Sequence, residues 1–160
     1  MQLEIFTTGG TIDKVYFDAK SKFEVGEPQI LDVLREANLS IDYQVTPLMR
    51  KDSLELTDQD RELVRKAVEA SEATRIVITH GTDTMTDTAR ALTEITGKTI
   101  VLTGAMQPAR FRSTDAVFNI ASALMAAQTL AEGVYITMNG QVFDPKKTRK
   151  NVEMNRFEAI

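Results

Sequence analysis

Four short segments of this chain carry side chains that could do chemistry. The first is Thr8-Gly9-Gly10-Thr11. Two adjacent glycines let a backbone turn sharply and approach a ligand closely, leaving Thr11 on display as a candidate nucleophilic hydroxyl. A plain turn fits the same four residues. A phosphate-cradling loop does not, because the Gly-Lys-Ser/Thr ending and any Gly-x-Gly-x-x-Gly are missing. The second is His80-Gly81-Thr82-Asp83-Thr84. Backbone N–H groups at the start of a helix there would favour an anion, including an oxyanion that develops during acyl transfer. Asp83 acting only as a helix cap fits equally well. His80, the one histidine, directly follows a buried-strand pattern and reads as a satisfied structural group. The third is Asp52-Ser53, and the fourth is the run Lys146-Lys147-Thr148-Arg149-Lys150. Such a run is usually a solvated face. A lysine folded back from it and partly desolvated could instead take a proton from a hydroxyl.

These segments are positioned by an alternation of strand and helix patterns. Candidate strands are Leu3–Thr7, Tyr43–Leu48, Arg75–Thr79, Thr99–Thr103 and Val134–Met138. The third and fourth are nearly continuous β-branched runs, as in strands buried on both faces. Helices are expected after Pro28 with Ile30, Leu31 and Leu34 inward, and after the N-cap candidate Thr57 with Leu63, Val64, Ala67 and Val68. A third should follow Asp83 with Ala89, Leu92 and Ile95 on one side and Gly97 just past its end, and a fourth carries Val117, Ile120, Ala121 and Leu124. The pattern implies an α/β fold with a mostly parallel sheet and helices on both faces. Residues 8–27 read as one long irregular loop, of a length that is usually disordered or functional. The tail from Lys146 shows no clear element, and Phe118 and Met125 read as core. In an open parallel sheet, ligands bind beyond the carboxyl ends of the strands. The Thr8, Asp52, His80 and Gly104 segments all follow strands, which suggests one pocket.

Composition narrows the chemistry. The 160 residues suit one domain with a substantial core. A net charge of −4 argues against a dedicated nucleic-acid binder. The absence of cysteine excludes disulfide and thiol chemistry, and a single histidine excludes a histidine-rich metal site. No run approaches the apolar length of a membrane span. With no charged-then-apolar leader ahead of the first strand, a cytoplasmic location is expected.

Together these segments resemble the bacterial-type L-asparaginases. Thr8-Gly9-Gly10-Thr11-Ile12 is similar to that family's first signature, and Ile78-Thr79-His80-Gly81-Thr82-Asp83-Thr84-Met85 to its second. Gly104-Ala105-Met106-x-Pro108, Asp115-Ala116-x-x-Asn119, Asp52-Ser53 with Leu56-Thr57, and Val142-Phe143-Asp144 with Lys150 also match, in order, along nearly the whole chain. The resemblance implies a flavodoxin-like three-layer sandwich with one left-handed crossover. It implies Thr11 as first nucleophile, and Thr82, Asp83 and Lys150 as a second hydroxyl–carboxylate–lysine group. Ser53 and Asp83 would hold the substrate's α-carboxylate and α-ammonium, and the Ala105 carbonyl would receive the amide nitrogen. Gly10, Asp52 and Gly81 would line the same subsite. The expected reaction is hydrolysis of L-asparagine through a threonine acyl-enzyme, with no metal and no cofactor. A glutaminase or a non-catalytic amino-acid-binding module is the alternative.

Two departures from the family pattern matter. Family members usually carry a second, C-terminal domain, so this 160-residue chain is expected to be a single catalytic domain without it. A neighbouring subunit helps close the family's site, so a homo-oligomer is expected, with neither nucleic acid nor membrane as partner. The family's catalytic tyrosine sits in the loop before a Val-Gly pair. Here that frame, Lys20 to Gly26, offers Phe23, which has no hydroxyl. Tyr16, five residues after Thr11, is the expected replacement. Leu54 also stands where a polar residue is usual.

Overall fold

The computed structural model describes residues 2–160. Its first half runs β1 (Gln2–Gly9), β2 (Lys14–Phe17), β3 (Lys22–Val25), α1 (Ile30–Glu36), β4 (Asp42–Lys51), α2 (Asp58–Ala70) and β5 (Arg75–Thr79). The second half runs α3 (Met85–Ala91), β6 (Thr99–Thr103), α4 (Ala116–Thr129), β7 (Gly133–Met138), β8 (Gln141–Phe143), β9 (Thr148–Asn151) and β10 (Arg156–Ala159). The main sheet has the order β4-β1-β5-β6-β7-β8. Its first five strands are parallel, and β8 returns antiparallel along β7. Counted over the parallel strands this is the order 2-1-3-4-5 of flavodoxin-like folds.

The β-branched runs explain the sheet. Ile76, Val77 and Ile78 on β5, and Ile100, Val101 and Leu102 on β6, are all fully buried. Successive strand residues point to opposite faces. Ile76, Ile78, Ile100 and Leu102 therefore pack with Val64 and Val68 of α2 and Met85, Ala89 and Leu92 of α3. Val77 and Val101, with Leu3 and Ile5, pack with Ile30 and Leu34 of α1 and Ile120, Ala123 and Leu124 of α4. Each of the Val, Leu, Ile and Met side chains contributes about 1.5–3 kcal/mol by leaving water.

That division of helices sets the handedness. From β5 to β6 and from β6 to β7 the chain steps the same way across the sheet, yet α3 and α4 lie on opposite faces. Consecutive crossovers of opposite hand follow necessarily. The β1–β4, β4–β5 and β5–β6 connections share one hand, and β6–α4–β7 has the other. Right-handed crossovers are the near-universal rule, so the β6–α4–β7 connection is the left-handed one.

Several expectations are corrected. Residues 8–27 are not one irregular loop but contain the β2–β3 hairpin. The tail from Lys146 forms a second hairpin, β9–β10, whose Phe157 is buried in the core. Leu31, Leu63, Val117, Phe118 and Met125 are exposed rather than inward, as is Ala121. In α4 the reason is that the helix is apolar nearly all round, so apolarity alone does not choose a face. The buried stripe is Ala116, Ile120, Ala123, Leu124 and Ala127. Helix α3 ends at Ala91, well before Gly97, because its last turn tightens into i→i+3 bonds at Leu92, Thr93 and Ile95. There the Thr93 hydroxyl also donates to the Arg90 carbonyl. Thr57 caps α2 as expected, in a reciprocal capping box with Asp60.

Candidate active site

Thr7, Thr79 and Thr103 stand side by side across β1, β5 and β6. The chain therefore leaves all three strands at one height, delivering Gly9, His80 and Gly104 to one edge. Strand order reverses between β1 and β5, where open α/β sheets form a crevice. Glycine lets the loops meet there. Gly10 (φ 90°) lies so close to Gly81 that any Cβ on it would strike the Gly81 backbone. A Cβ on Gly81 would in turn fall 2.5 Å from Ser53 Cβ. Gly10 N–H donates to the Lys51 carbonyl at 2.9 Å, and the Thr84 hydroxyl donates to the Ser53 carbonyl at 2.8 Å. The Thr11 turn, the Ser53 turn and the Thr82–Asp83 turn thus share one crevice.

The closest chemistry in it joins three side chains. Lys150 Nζ lies 2.7 Å from Thr82 Oγ1 and 2.7 Å from Asp83 Oδ1. The lysine side chain is only 16% exposed. Asp83 makes no cap to α3; its carboxylate is turned to the lysine instead. An ammonium in this position donates to both oxygens, whereas a neutral amine could accept the Thr82 proton. Lys150 thus leaves the basic run, while Arg149 beside it pairs with Glu158 on the surface at 2.7 Å.

His80 has a supporting part. Fully buried, its Nδ1 lies 2.7 Å from the Gly81 carbonyl and its Nε2 2.8 Å from Thr88 Oγ1. Burial lowers its pKa to about 4, so the ring is neutral. Nδ1–H donates to the Gly81 carbonyl, which has no proton to give, and the Thr88 hydroxyl donates to Nε2. The ring therefore pins the turn that presents Thr82.

Thr11 opens a 3₁₀ turn, Thr11–Asp13, held by Ile12 in the core and by the Ala109 N–H on the Ile12 carbonyl at 3.0 Å. Its hydroxyl makes no hydrogen bond among the described residues. Asp13 closes the turn and clasps the base of the β2–β3 hairpin. Its carbonyl accepts the Gly26 N–H at 2.8 Å, and its carboxyl accepts the Gln29 N–H at 2.9 Å. Burial raises the Asp13 pKa to about 7, against the lowering effects of the Gln29 N–H and the Arg50 charge.

Asp52 accepts the Leu54 N–H and pairs with Lys14 of β2 at 3.0 Å, linking the hairpin to the Ser53 turn. Burial alone would raise its pKa, but the Leu54 N–H and the Lys14 and Lys150 charges together lower it. Ser53 and Ala105 are buried. The Ala105 loop is held by Asp115, which accepts the Met106 and Gln107 N–H groups. Asn119 braces it by donating to the Gly104 carbonyl at 2.9 Å. Tyr16 stands directly opposite Phe23 on the hairpin, the rings edge to face at 5.3 Å, and Phe23 packs on Phe111 at 5.6 Å. The Tyr16 hydroxyl is not brought into hydrogen-bond contact with Thr11 or with any other described residue. Sequence reading missed the joining roles of Lys14 and Thr84, which carry no local signal. The i,i+4 spacing of Asp115 and Asn119 was a usable one.

A family profile described as "Asparaginase, N-terminal" matches residues 2–160. The chain is 30% identical to the L-asparaginase of Thermococcus kodakarensis, over all of this chain and 51% of that protein. It is also 30% identical to the glutaminase-asparaginase of Acinetobacter glutaminasificans, over 98% of this chain and 51% of the relative. The solved structure of the thermostable L-asparaginase from Thermococcus kodakarensis superposes with a TM-score of 0.86 at 27% identity, covering 100% of this chain and 51% of that one. The chain spans about half the length of these relatives.

Proposed function

The chain belongs to the asparaginase family, and from that premise we propose that it hydrolyses the side-chain amide of a small amino acid, L-asparagine first. The observation that carries the reading is the 2.7 Å contact of Lys150 Nζ with both Thr82 Oγ1 and Asp83 Oδ1, in one crevice with the Thr11 turn. In this reading a threonine Oγ attacks the carboxamide carbon, its proton leaves with the departing ammonia, and water then cleaves the acyl-threonine ester to release aspartate. Thr11 is the first nucleophile. Thr82, Asp83 and Lys150 form the second hydroxyl–carboxylate–lysine group. Ser53 and Asp83 hold the substrate's charged ends, with Gly10, Asp52 and Gly81 lining the subsite, and the Ala105 carbonyl accepts from the amide nitrogen. Backbone donors on a developing oxyanion are worth about 3–4 kcal/mol each. Tyr16, whose hydroxyl has no partner among the described residues, would serve as the hydroxyl relay for Thr11 after movement of the hairpin.

A second reading, glutamine as substrate, is favoured by the similarity to the glutaminase-asparaginase of Acinetobacter glutaminasificans. One methylene discriminates by only about 1–3 kcal/mol. The reading includes a homo-oligomer, supported by Val117, Phe118 and Met125 exposed on the outer face of an otherwise apolar α4. It also includes a cytoplasmic location, which fractionation of the expressed protein would decide. Among the described residues no helix is long and apolar enough to cross a membrane.

The test is ammonia release with asparagine, with glutamine and with no substrate, run beside a folded Thr11→Ala protein. Asparagine-dependent release that the variant loses supports the reading. A folded protein that binds asparagine but releases ammonia from neither amide is a binding module instead.

A further inference from the structure

Lys150 reaches the crevice from outside the main sheet. It sits on β9, which among the described residues pairs only with β10, so something must hold this small hairpin in register with Asp83. Part of the answer is Phe157, opposite Lys150 in the ladder and buried in the core. Its N–H donates to Asn139 Oδ1 at 2.8 Å. The other part is Arg90. From the last turn of α3, its Nε donates to the Pro145 carbonyl at 2.9 Å and its Nη2 to the Thr148 carbonyl at 3.1 Å. The same helix starts two residues after Asp83. Asp83, α3, Arg90, Thr148 and Lys150 therefore form a closed circuit, shut at one end by the guanidinium and at the other by the lysine–carboxylate contact.

We propose that Arg90 is a positioning residue for the Lys150 amine, fixing the distance from β9 to the Thr82–Asp83 turn. The inference rests on the reading of Lys150 given above. Two residues along a strand from Thr148 to Lys150 span about 6–7 Å, so a tilt of β9 at Thr148 reaches the amine with little attenuation. A guanidinium suits the task because its planar fork binds two carbonyls in fixed geometry, which an ammonium on a flexible stem does not. A displacement of about 1 Å far from the chemistry can cost on the order of 100-fold in rate.

The test is a cycle of Arg90→Met and Lys150→Met, read as kcat and KM for asparagine. Hydrogen exchange at residues 148–151 is measured alongside. Arg90→Met should lower kcat by roughly 10- to 100-fold, leave KM within about twofold, and speed exchange in β9 but not in β5 or β6. In the Lys150→Met background it should cost nothing further. Should Arg90→Met fail to fold, Arg90→Lys replaces it in the same cycle and should show the same split. Equal fold-losses in both backgrounds, or unchanged exchange with near-wild-type kcat, overturn the proposal. A Lys150→Met enzyme with full kcat overturns the underlying reading itself. That outcome is distinct from an inactive Lys150→Met beside a fully active Arg90→Met, which overturns only the role of Arg90.

Discussion

The two threonines of the crevice are built differently. Thr82 is in contact with Lys150, which touches Asp83, and the turn beneath it is pinned by a buried neutral His80. Thr11 has no hydrogen-bond partner for its hydroxyl among the described residues. Behind it is a hairpin whose aromatic rings, Tyr16 and Phe23, are about half exposed. One half is organised before substrate arrives, by core packing and charge-assisted contacts. The other is organised up to the backbone of its turn and left open at the side chain. The difference teaches that the fold supplies one complete hydroxyl–amine–carboxylate set, two members from the turn after β5 and the amine from the β9–β10 hairpin. If Thr11 is the nucleophile, as proposed, its activation is left to groups outside that set: the substrate, a moving hairpin or a neighbouring subunit.

The largest effect should come from breaking the organised half. Thr82→Val, Asp83→Ala and Lys150→Met are each expected to lower kcat on asparagine by about 10³-fold or more, and pairs of them should cost little beyond the worst single change. Groups acting as one unit are strongly non-additive. Steady-state kinetics on the singles and doubles reads this directly. Mild, additive losses would return Lys150 to the solvated run it belongs to in sequence.

The unequal halves also explain what could be read beforehand. The five parallel strands were legible because β5 and β6 are buried on both faces and therefore written as unbroken β-branched runs. The Thr8–Thr11 and His80–Thr84 segments were legible because their glycines and hydroxyls follow such strands. The β2–β3 and β9–β10 hairpins were not. Each is a pair of four-residue strands outside the main sheet: β3 and β10 alternate polar with apolar residues over only four positions, and their partners β2 and β9 do not alternate at all. Their order comes from long-range contacts such as Lys14–Asp52, Arg90–Thr148 and Phe157 in the core, none of which has a local sequence mark. The outward face of α4 was misread for the opposite reason: too many positions are apolar for periodicity to choose among them.

A smaller effect should separate the readings of the open half. Tyr16 and Phe23 are direct cross-strand partners, so exchanging their hydroxyl tests position with little change in packing. If Tyr16 serves Thr11, Tyr16→Phe should lower kcat by roughly 10- to 100-fold, within the range typical of losing one proton-transfer group. The double variant Tyr16→Phe with Phe23→Tyr should then regain activity only if the hairpin can present either ring to Thr11. Full turnover by Tyr16→Phe would leave Tyr16 as an aromatic anchor on Phe23 and Phe111.

The smallest effect on turnover, and the sharpest on stability, concerns one buried titratable group in each half. Asp13, under Thr11, has its pKa raised to about 7 by burial. His80, under Thr82, has its pKa lowered to about 4 by burial. Their contributions to stability run in opposite directions. Between the unfolded Asp value of 3.8 and about 7, the folded protein keeps a proton on Asp13 that the unfolded chain has lost. Stability from this group therefore falls as pH rises. Between about 4 and the unfolded His value of 6.5, the unfolded chain holds a proton that folded His80 lacks, so stability from that group rises with pH. Over most of the shared window the two slopes cancel, and the wild-type protein should look nearly indifferent to pH. Asp13→Asn keeps the oxygen that accepts the Gln29 N–H and removes the titration. Its stability should match the wild type near pH 4 and then climb with pH as His80 alone sets the slope. Above pH 7 it should exceed the wild type by on the order of 4 kcal/mol, about three pKa units at 1.36 kcal/mol each. Urea midpoints measured from pH 4 to 8 read the difference. Parallel profiles for the two proteins would mean that the Asp13 carboxyl ionises in the folded state as readily as in the unfolded chain. The clasp at the base of the hairpin would then be a charged one.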